Sequence, residues 1–205
     1  MNPFDLHDDW GPATYDARNV AVINGSYELP LGHGRAFAGS LAGWRDALAS
    51  GWGLDSIVTL QDGFPFTPQL SFNPSNNGDT RNPVRPSVNP AFTGKVILGT
   101  PNQYFNAAAF AVPPNGTYGN LGRDAFTGPG LATFDFSLHK EAKVTEKLGL
   151  QFRAEFFNIL NRANFNTPNL IAFTSATGAP SPTAGVITST STTSRQIQFG
   201  LKLIW

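Results

Sequence analysis

The 205 residues carry fourteen acidic and fourteen basic side chains, so the formal charge is zero, and charged residues make up only 14% of the chain. No polyelectrolyte field exists to steer it to nucleic acid or to anionic lipid heads, and a nucleic-acid partner is not expected. Seventeen Phe against one Met and no Cys, with 21 Gly and 16 Pro, point to sheet surfaces rather than helical cores and forbid disulfides and thiolate metal sites.

No apolar run approaches the roughly eighteen residues of a transmembrane helix. A membrane barrel stays open, because its alternating strands score weakly on hydropathy. The start, Met1-Asn2-Pro3-Phe4-Asp5-Leu6-His7-Asp8-Asp9, is acidic and polar, unlike a signal peptide. A protein working outside the cytoplasm with this start is expected to be a fragment or to have a misplaced start.

The first predicted strand lies near 19–29: Ala21, Ile23, Gly25, Tyr27 and Leu29 oppose Asn24, Ser26 and Glu28, with a stop at Pro30. Phe37, Leu41, Trp44 and Leu48 then recur at helical spacing, which predicts a short amphipathic helix over Phe37 to Ala49. A second strand near 50–61 sets Trp52, Leu54, Ser56, Val58 and Leu60 against Asp55, Thr59 and Gln61. Val22 and Ile57 blur the polar faces of these two strands. From about 63 to 130 the chain is rich in Pro, Asn and Gly and has no strong period. About seventy such residues exceed an ordinary soluble connection, and a long loop is expected.

Alternation is cleaner downstream. Near 131–143, Phe134, Phe136 and Leu138 oppose Thr133, Asp135, Ser137 and His139. Near 148–159, Leu148, Leu150, Phe152, Ala154 and Phe156 oppose Gln151, Arg153 and Glu155. Both strands put their apolar set on even numbers, so facing residues must sum to an even value. That requires an odd-length turn such as Thr145-Glu146-Lys147, which sets Phe136 opposite Phe156 and His139 opposite Arg153. A second long loop follows near 161–194, ending in a Ser/Thr tract. In the last strand, near 195–205, Ile197, Phe199, Leu201, Leu203 and Trp205 share one face, and Gln196, Gln198, Gly200, Lys202 and Ile204 the other. About eleven residues at roughly 3.4 Å each, tilted about 45°, span about 25 Å of membrane normal.

Short or compact connections alternate with long ones, as in outer-membrane barrels with short periplasmic turns and long outer loops. The expected fold is therefore all-β: residues 1–205 form an antiparallel transmembrane β-barrel segment of about five terminal strands, an incomplete barrel with long extracellular loops and one short periplasmic helix. The lipid-facing set is Phe134, Phe136, Leu138, Leu150, Phe152, Phe156, Ile197, Phe199, Leu201 and Leu203. The lumen-facing polar set is Asp135, His139, Arg153, Glu155, Gln198 and Lys202, read as a water-facing charge network in preference to a ligand or ion path. A basic side chain on the lipid face costs roughly 2–4 kcal/mol at the midplane. Lys140 breaks the parity, but near the periplasmic turn it can snorkel.

Chemistry-bearing patterns are sparse. Asn76, Asn77 and Asp79 fit no complete calcium loop, and Asn-Gly is ordinary turn chemistry. His7, His33 and His139 have no second ligand at metal spacing. No Walker loop, Rossmann fingerprint, nucleophile elbow or HExxH is present, so neither an enzyme nor a cofactor is expected. Asn24-Gly25-Ser26 and Asn115-Gly116-Thr117 match the glycosylation sequon by chance.

Several words resemble a known family. Leu121-Gly122-Arg123-Asp124-Ala125-Phe126-Thr127-Gly128-Pro129-Gly130 followed by Phe134-Asp135-Phe136-Ser137-Leu138 looks like the penultimate region of Oar-like TonB-dependent receptors. So do Leu150-Gln151-Phe152-Arg153-Ala154-Glu155-Phe156-Phe157-Asn158-Ile159-Leu160-Asn161 with Asn164-Phe165, the ending Arg195 to Trp205, Tyr27-Glu28-Leu29-Pro30 and Gly51-Trp52. The resemblance covers almost the whole chain and is most specific from Gly119 onward. It implies a receptor in the cell outer membrane with an N-terminal plug inside a barrel of about twenty-two strands, taking up scarce ligands with energy delivered by TonB. Against that pattern this chain lacks the plug and the TonB box, so it reads as a C-terminal fragment, TonB acting only through the missing part. The final Phe199, Leu201, Leu203 and Trp205 resemble the signal read by the barrel-assembly machinery. Outer-membrane lipid, that machinery and the missing plug and strands are the implied partners. Nothing selects among siderophore, sugar, peptide or secreted protein as cargo. The alternative is a soluble β-sandwich binding module, carbohydrate-binding or adhesin-like, and a third reading is a non-functional remnant of a longer gene.

Overall fold

The computed structural model describes residues 5–79, 84–146 and 148–205. Its elements in chain order are a 3-10 turn at Leu6–Asp9, β1 (Val20–Glu28), α1 (Trp44–Ala49), β2 (Trp52–Gln61), β3 (Pro65–Phe66), β4 (Gln69–Leu70), β5 (Ser87–Val88), β6 (Ile97–Thr100) and β7 (Gln103–Phe105). A 3-10 turn at Ala107–Ala109 precedes β8 (Phe110–Ala111), and β9 (Phe126–Thr127), β10 (Leu131–Lys143), β11 (Gly149–Phe157), β12 (Ile171–Phe173) and β13 (Gln196–Ile204) complete the order. Among the described residues the structure is nearly all-β with one α-helix, and the chain divides into two compact units.

One unit (20–60, 132–163 and 192–205) holds a five-stranded sheet in the order β1-β2-β10-β11-β13. Leu29 N–H donates to the Trp52 carbonyl at 2.9 Å, and Glu141 N–H to the Gly51 carbonyl at 2.8 Å. The β10–β11 hairpin pairs Phe136 with Phe156 and His139 with Arg153, antiparallel, the register that parity and an odd turn require. Val144 N–H donates to the Leu148 carbonyl and closes the turn; of the predicted turn residues, Lys147 lies outside the described residues. β11 then pairs antiparallel with β13, Phe152 facing Leu201 and Phe156 facing Ile197. No barrel closes among the described residues: β1 and β13 are the sheet's two edges, and every residue in both is exposed.

The predicted helix over Phe37 to Ala49 is shorter than expected. Ala38 and Gly43 both take positive φ (58° and 63°), which breaks the right-handed helix before Trp44. The first half becomes a loop closed by the Leu31↔Phe37 bridge.

The other unit (5–19, 61–131 and 164–191 within the described residues) is built mainly from the two expected long loops, which share a core of their own. Phe66, Phe105, Phe110 and Phe173 are buried together with Leu70, Val84, Leu121 and Ala172. The Phe66 and Phe105 rings lie 6.0 Å apart, as do those of Phe105 and Phe110, the latter edge to face, the geometry aromatic quadrupoles prefer. Short strand pairs frame this cluster: β3 with β9 and β5 with β8 antiparallel, β4 with β12 parallel. A buried Arg85 pairs with Asp9 at 2.9 Å. Thr67 Oγ1 donates to Asp124 Oδ1 at 3.0 Å and accepts from the Asp124 N–H. The Asn76-Asn77-Gly78-Asp79 segment is a turn whose Asn77 Oδ1 accepts from the Asp79 N–H.

Candidate functional site: two faces of one sheet

Pleating sends alternate side chains to opposite faces, and the two registers align all three strands from β10 to β13. Phe136 and Leu138 fall beside Phe156 and Ala154, which in turn fall beside Ile197 and Phe199. Leu150 faces Leu203. The Phe136 and Phe156 rings lie 6.2 Å apart, and Phe152 stacks on Phe199 at 6.3 Å with an interplanar angle of 18°. Phe134 joins this face by alternation. The result is a continuous apolar surface, and its outermost strand is open: Phe199 is 68% exposed.

Lys140 belongs to the same face, opposite Phe152. Its ammonium reaches along the strand to the Ser50 carbonyl and sits 5.1 Å from the Trp52 ring centroid. The stem stays among apolar groups while the charge finds an acceptor and an aromatic ring.

The opposite face carries the charges. Glu155 lies between Ser137 and Gln198, and Gln151 between Glu141 and Lys202. Arg153 Nη2 is 3.2 Å from Glu155 Oε1, and Gln151 Nε2 donates to Glu141 Oε1 at 2.9 Å. Asp135 Oδ1 accepts the Asn158 N–H at 2.8 Å, capping the end of β11. His139 Nδ1 is 3.0 Å from Asp55 Oδ2.

Two residues essential to that last contact were absent from the predicted site. Asp55 was legible on the polar face of its strand, but its partner lies 84 positions away, a pairing that only the β2–β10 neighbourhood creates. Gly53 carries no side-chain signal at all. A Cβ placed there would lie 2.4 Å from His139 Nε2, so the imidazole packs over bare backbone, a close approach that glycine permits. Near this end of the sheet, a cavity of about 310 Å³ is lined by Glu28, His33, Arg35, Asp46, His139 and Glu141 among others. Among the described residues, no group of three or more His, Asp or Glu is placed to hold a metal ion. The face presents paired cations, carboxylates and amides.

An antiparallel sheet with a continuous open apolar face and its charge pairs confined to the other face has the sorting that the wall of a transmembrane β-barrel requires. The family model for an outer membrane beta barrel domain matches residues 1–198, and the chain belongs to that family. It is an outer-membrane protein. No curated protein and no solved structure matches the chain.

Proposed function

We propose that the sheet forms the closing wall of a ligand-uptake receptor of the TonB-dependent, Oar-like type. In this reading Phe134, Phe136, Leu138, Leu150, Phe152, Phe156, Ile197, Phe199, Leu201 and Leu203 face hydrocarbon. Asp135, His139, Arg153, Glu155, Gln198 and Lys202 face a wet lumen, joined there by Asp55. The observation that carries the reading is this complete sorting of apolar and ion-paired side chains across β10, β11 and β13. The large folded unit built from the two long connections supports a receptor over a plain pore, since binding residues concentrate on such segments.

The sheet edges at β1 and β13 cannot stay open in lipid, where unpaired backbone groups cost several kcal/mol each (about that order per group). Further strands, from the rest of the receptor or from additional copies of this chain, must pair with them, and a plug would meet the charged face. TonB acts on that remainder of the receptor. Phe199, Leu201, Leu203 and Trp205 are the signal offered to the barrel-assembly machinery. The chain carries no catalytic role in this scheme; its partners are lipid, assembly machinery and plug.

The test is genetic. Strains lacking this gene or lacking TonB are compared on a panel of scarce iron chelates, oligosaccharides and peptides. A growth defect shared by the two strains is expected for one ligand class. A panel on which loss of TonB impairs uptake and loss of this gene impairs none overturns the receptor assignment.

A further inference from the structure

The helix α1 is inside out. In a water-soluble protein an amphipathic helix turns its apolar stripe to the core and its polar face to solvent. Here the polar side is the one tied down: Asp46 Oδ1 accepts the His33 N–H, and Ser50 Oγ donates to the Asp46 carbonyl. Trp44 and Leu48, one turn apart on the other side, are 70% and 61% exposed, and no residue of the helix is buried. A six-residue helix is far below the roughly twelve to fifteen residues at which isolated helices become even marginal in water.

The exposed side of α1 is continuous with the sheet's apolar face. Trp52 opens β2 on that face, and its indole N–H donates to the Leu48 carbonyl at 2.9 Å. Two cations accompany the indoles: Arg45 lies 5.5 Å from the Trp44 ring centroid, and Lys140 lies beside Trp52. Phe37, also exposed, lies on the same connection between β1 and β2. Indoles with a wet and a dry end, flanked by basic groups, match the headgroup level of a bilayer.

We propose that the α1 segment is an interfacial anchor, with Trp44 and Leu48 inserted into the periplasmic leaflet of the outer membrane and Arg45 and Lys140 placed at its phosphates. The inference rests on the lipid-facing reading of the sheet given above. It goes further by assigning the compact β1–β2 connection to the membrane rather than to periplasmic water. Its effect is to fix how deep the sheet sits, since a sheet without interfacial anchors slides along the normal at low cost.

The test uses the full chain in phosphatidylcholine–phosphatidylglycerol vesicles whose acyl chains carry bromine at a shallow or a deep carbon. Trp10→Phe, Trp52→Phe and Trp205→Phe leave Trp44 as the single indole. A second protein adds Phe199→Trp and Trp44→Phe to that background and reports on the sheet. We expect Trp44 emission to be blue-shifted, quenched most by shallow bromine and protected from acrylamide, and the position-199 indole to be quenched most by deep bromine. If position 199 is quenched by bromine while Trp44 emits as a water-exposed indole open to acrylamide, the sheet reading stands and the anchor is wrong. If neither indole is quenched by bromine, both fall.

Discussion

Phenylalanine does opposite work in the two units. In the unit built from the long connections, Phe105 is 0% exposed and rings pack on rings. In the sheet, Phe199 is 68% exposed, and Ile197 and Leu201 on the same face of its strand are 53% and 69% exposed. The side chain is the same, so the difference lies in the solvent. Water drives apolar area inward at about 25 cal/mol per Å², whereas hydrocarbon offers no such force and leaves the outer face apolar. On the proposed reading one chain carries a water-solvated core and a lipid-solvated wall, and each region is intelligible only with its own medium.

The comparison breaks most sharply on cavity formation. Phe105→Ala removes a fully buried ring from the cluster, at an expected cost of about 3–5 kcal/mol. Phe199→Ala, by contrast, opens a site that lipid refills, and should cost well under half as much. Protease accessibility of the 63–130 segment and urea unfolding of the membrane-inserted chain read the two. Equal losses at both positions would mean that the sheet is packed as a core. Charge sharpens the same contrast from the other side. Phe199→Arg on the apolar face should lose about 2–4 kcal/mol, and Gln198→Arg on the polar face almost nothing, measured by folding yield into vesicles at rising urea. A penalty of the same size at both sites abolishes the distinction between the faces.

The wall was legible in the sequence and the core was not, for a physical reason. Period-two alternation in 131–143, 148–159 and 195–205 is a local property, and parity alone demands an odd turn, which fixed Phe136 opposite Phe156. The Phe66–Phe105–Phe110–Phe173 cluster has no period to find. Its strands are two to four residues long, and partners such as β4 and β12 are separated by about half of the chain. Turn-rich composition there signalled loop, and it hid a fold held by buried rings and by Asn and Thr side chains bonding the backbone. The site was legible to the same extent. Charged residues fell on one face by alternation, while Asp55 and Gly53 needed a strand pairing between distant segments. The helix was half right, because apolar spacing does not reveal the positive φ at Ala38 and Gly43.

Within the wall, Gly53 makes the polar face testable at a single atom. Gly53→Ala drives a methyl group toward His139 Nε2 and pushes the imidazole off Asp55, an overpacking expected to cost about 1–3 kcal/mol. His139→Ala in the same background should return part of that loss, since the clashing ring is gone. Absence of any recovery in that double-mutant cycle would show that the glycine serves the backbone and not the histidine.

The smallest effect belongs to the water-solvated unit and is set by pH. Burial pushes the Tyr104 phenol above its ordinary value, and its hydroxyl donates to the Thr127 carbonyl at 3.0 Å. The neutral form is therefore the one the fold accommodates. A group whose folded pKa is raised keeps its full contribution below the unfolded value, about 10 for tyrosine, and loses it as pH climbs through the folded value. Proteolytic resistance of the 63–130 segment should accordingly decline above that point. Tyr104→Phe removes the titration and flattens the decline, at the cost of one hydrogen bond, about 1 kcal/mol, at neutral pH. The sheet carries no such buried phenol, and its folding yield should not change with Tyr104→Phe at any pH. An alkaline decline that survives the substitution would trace the sensitivity to some other group and remove Tyr104 from the account.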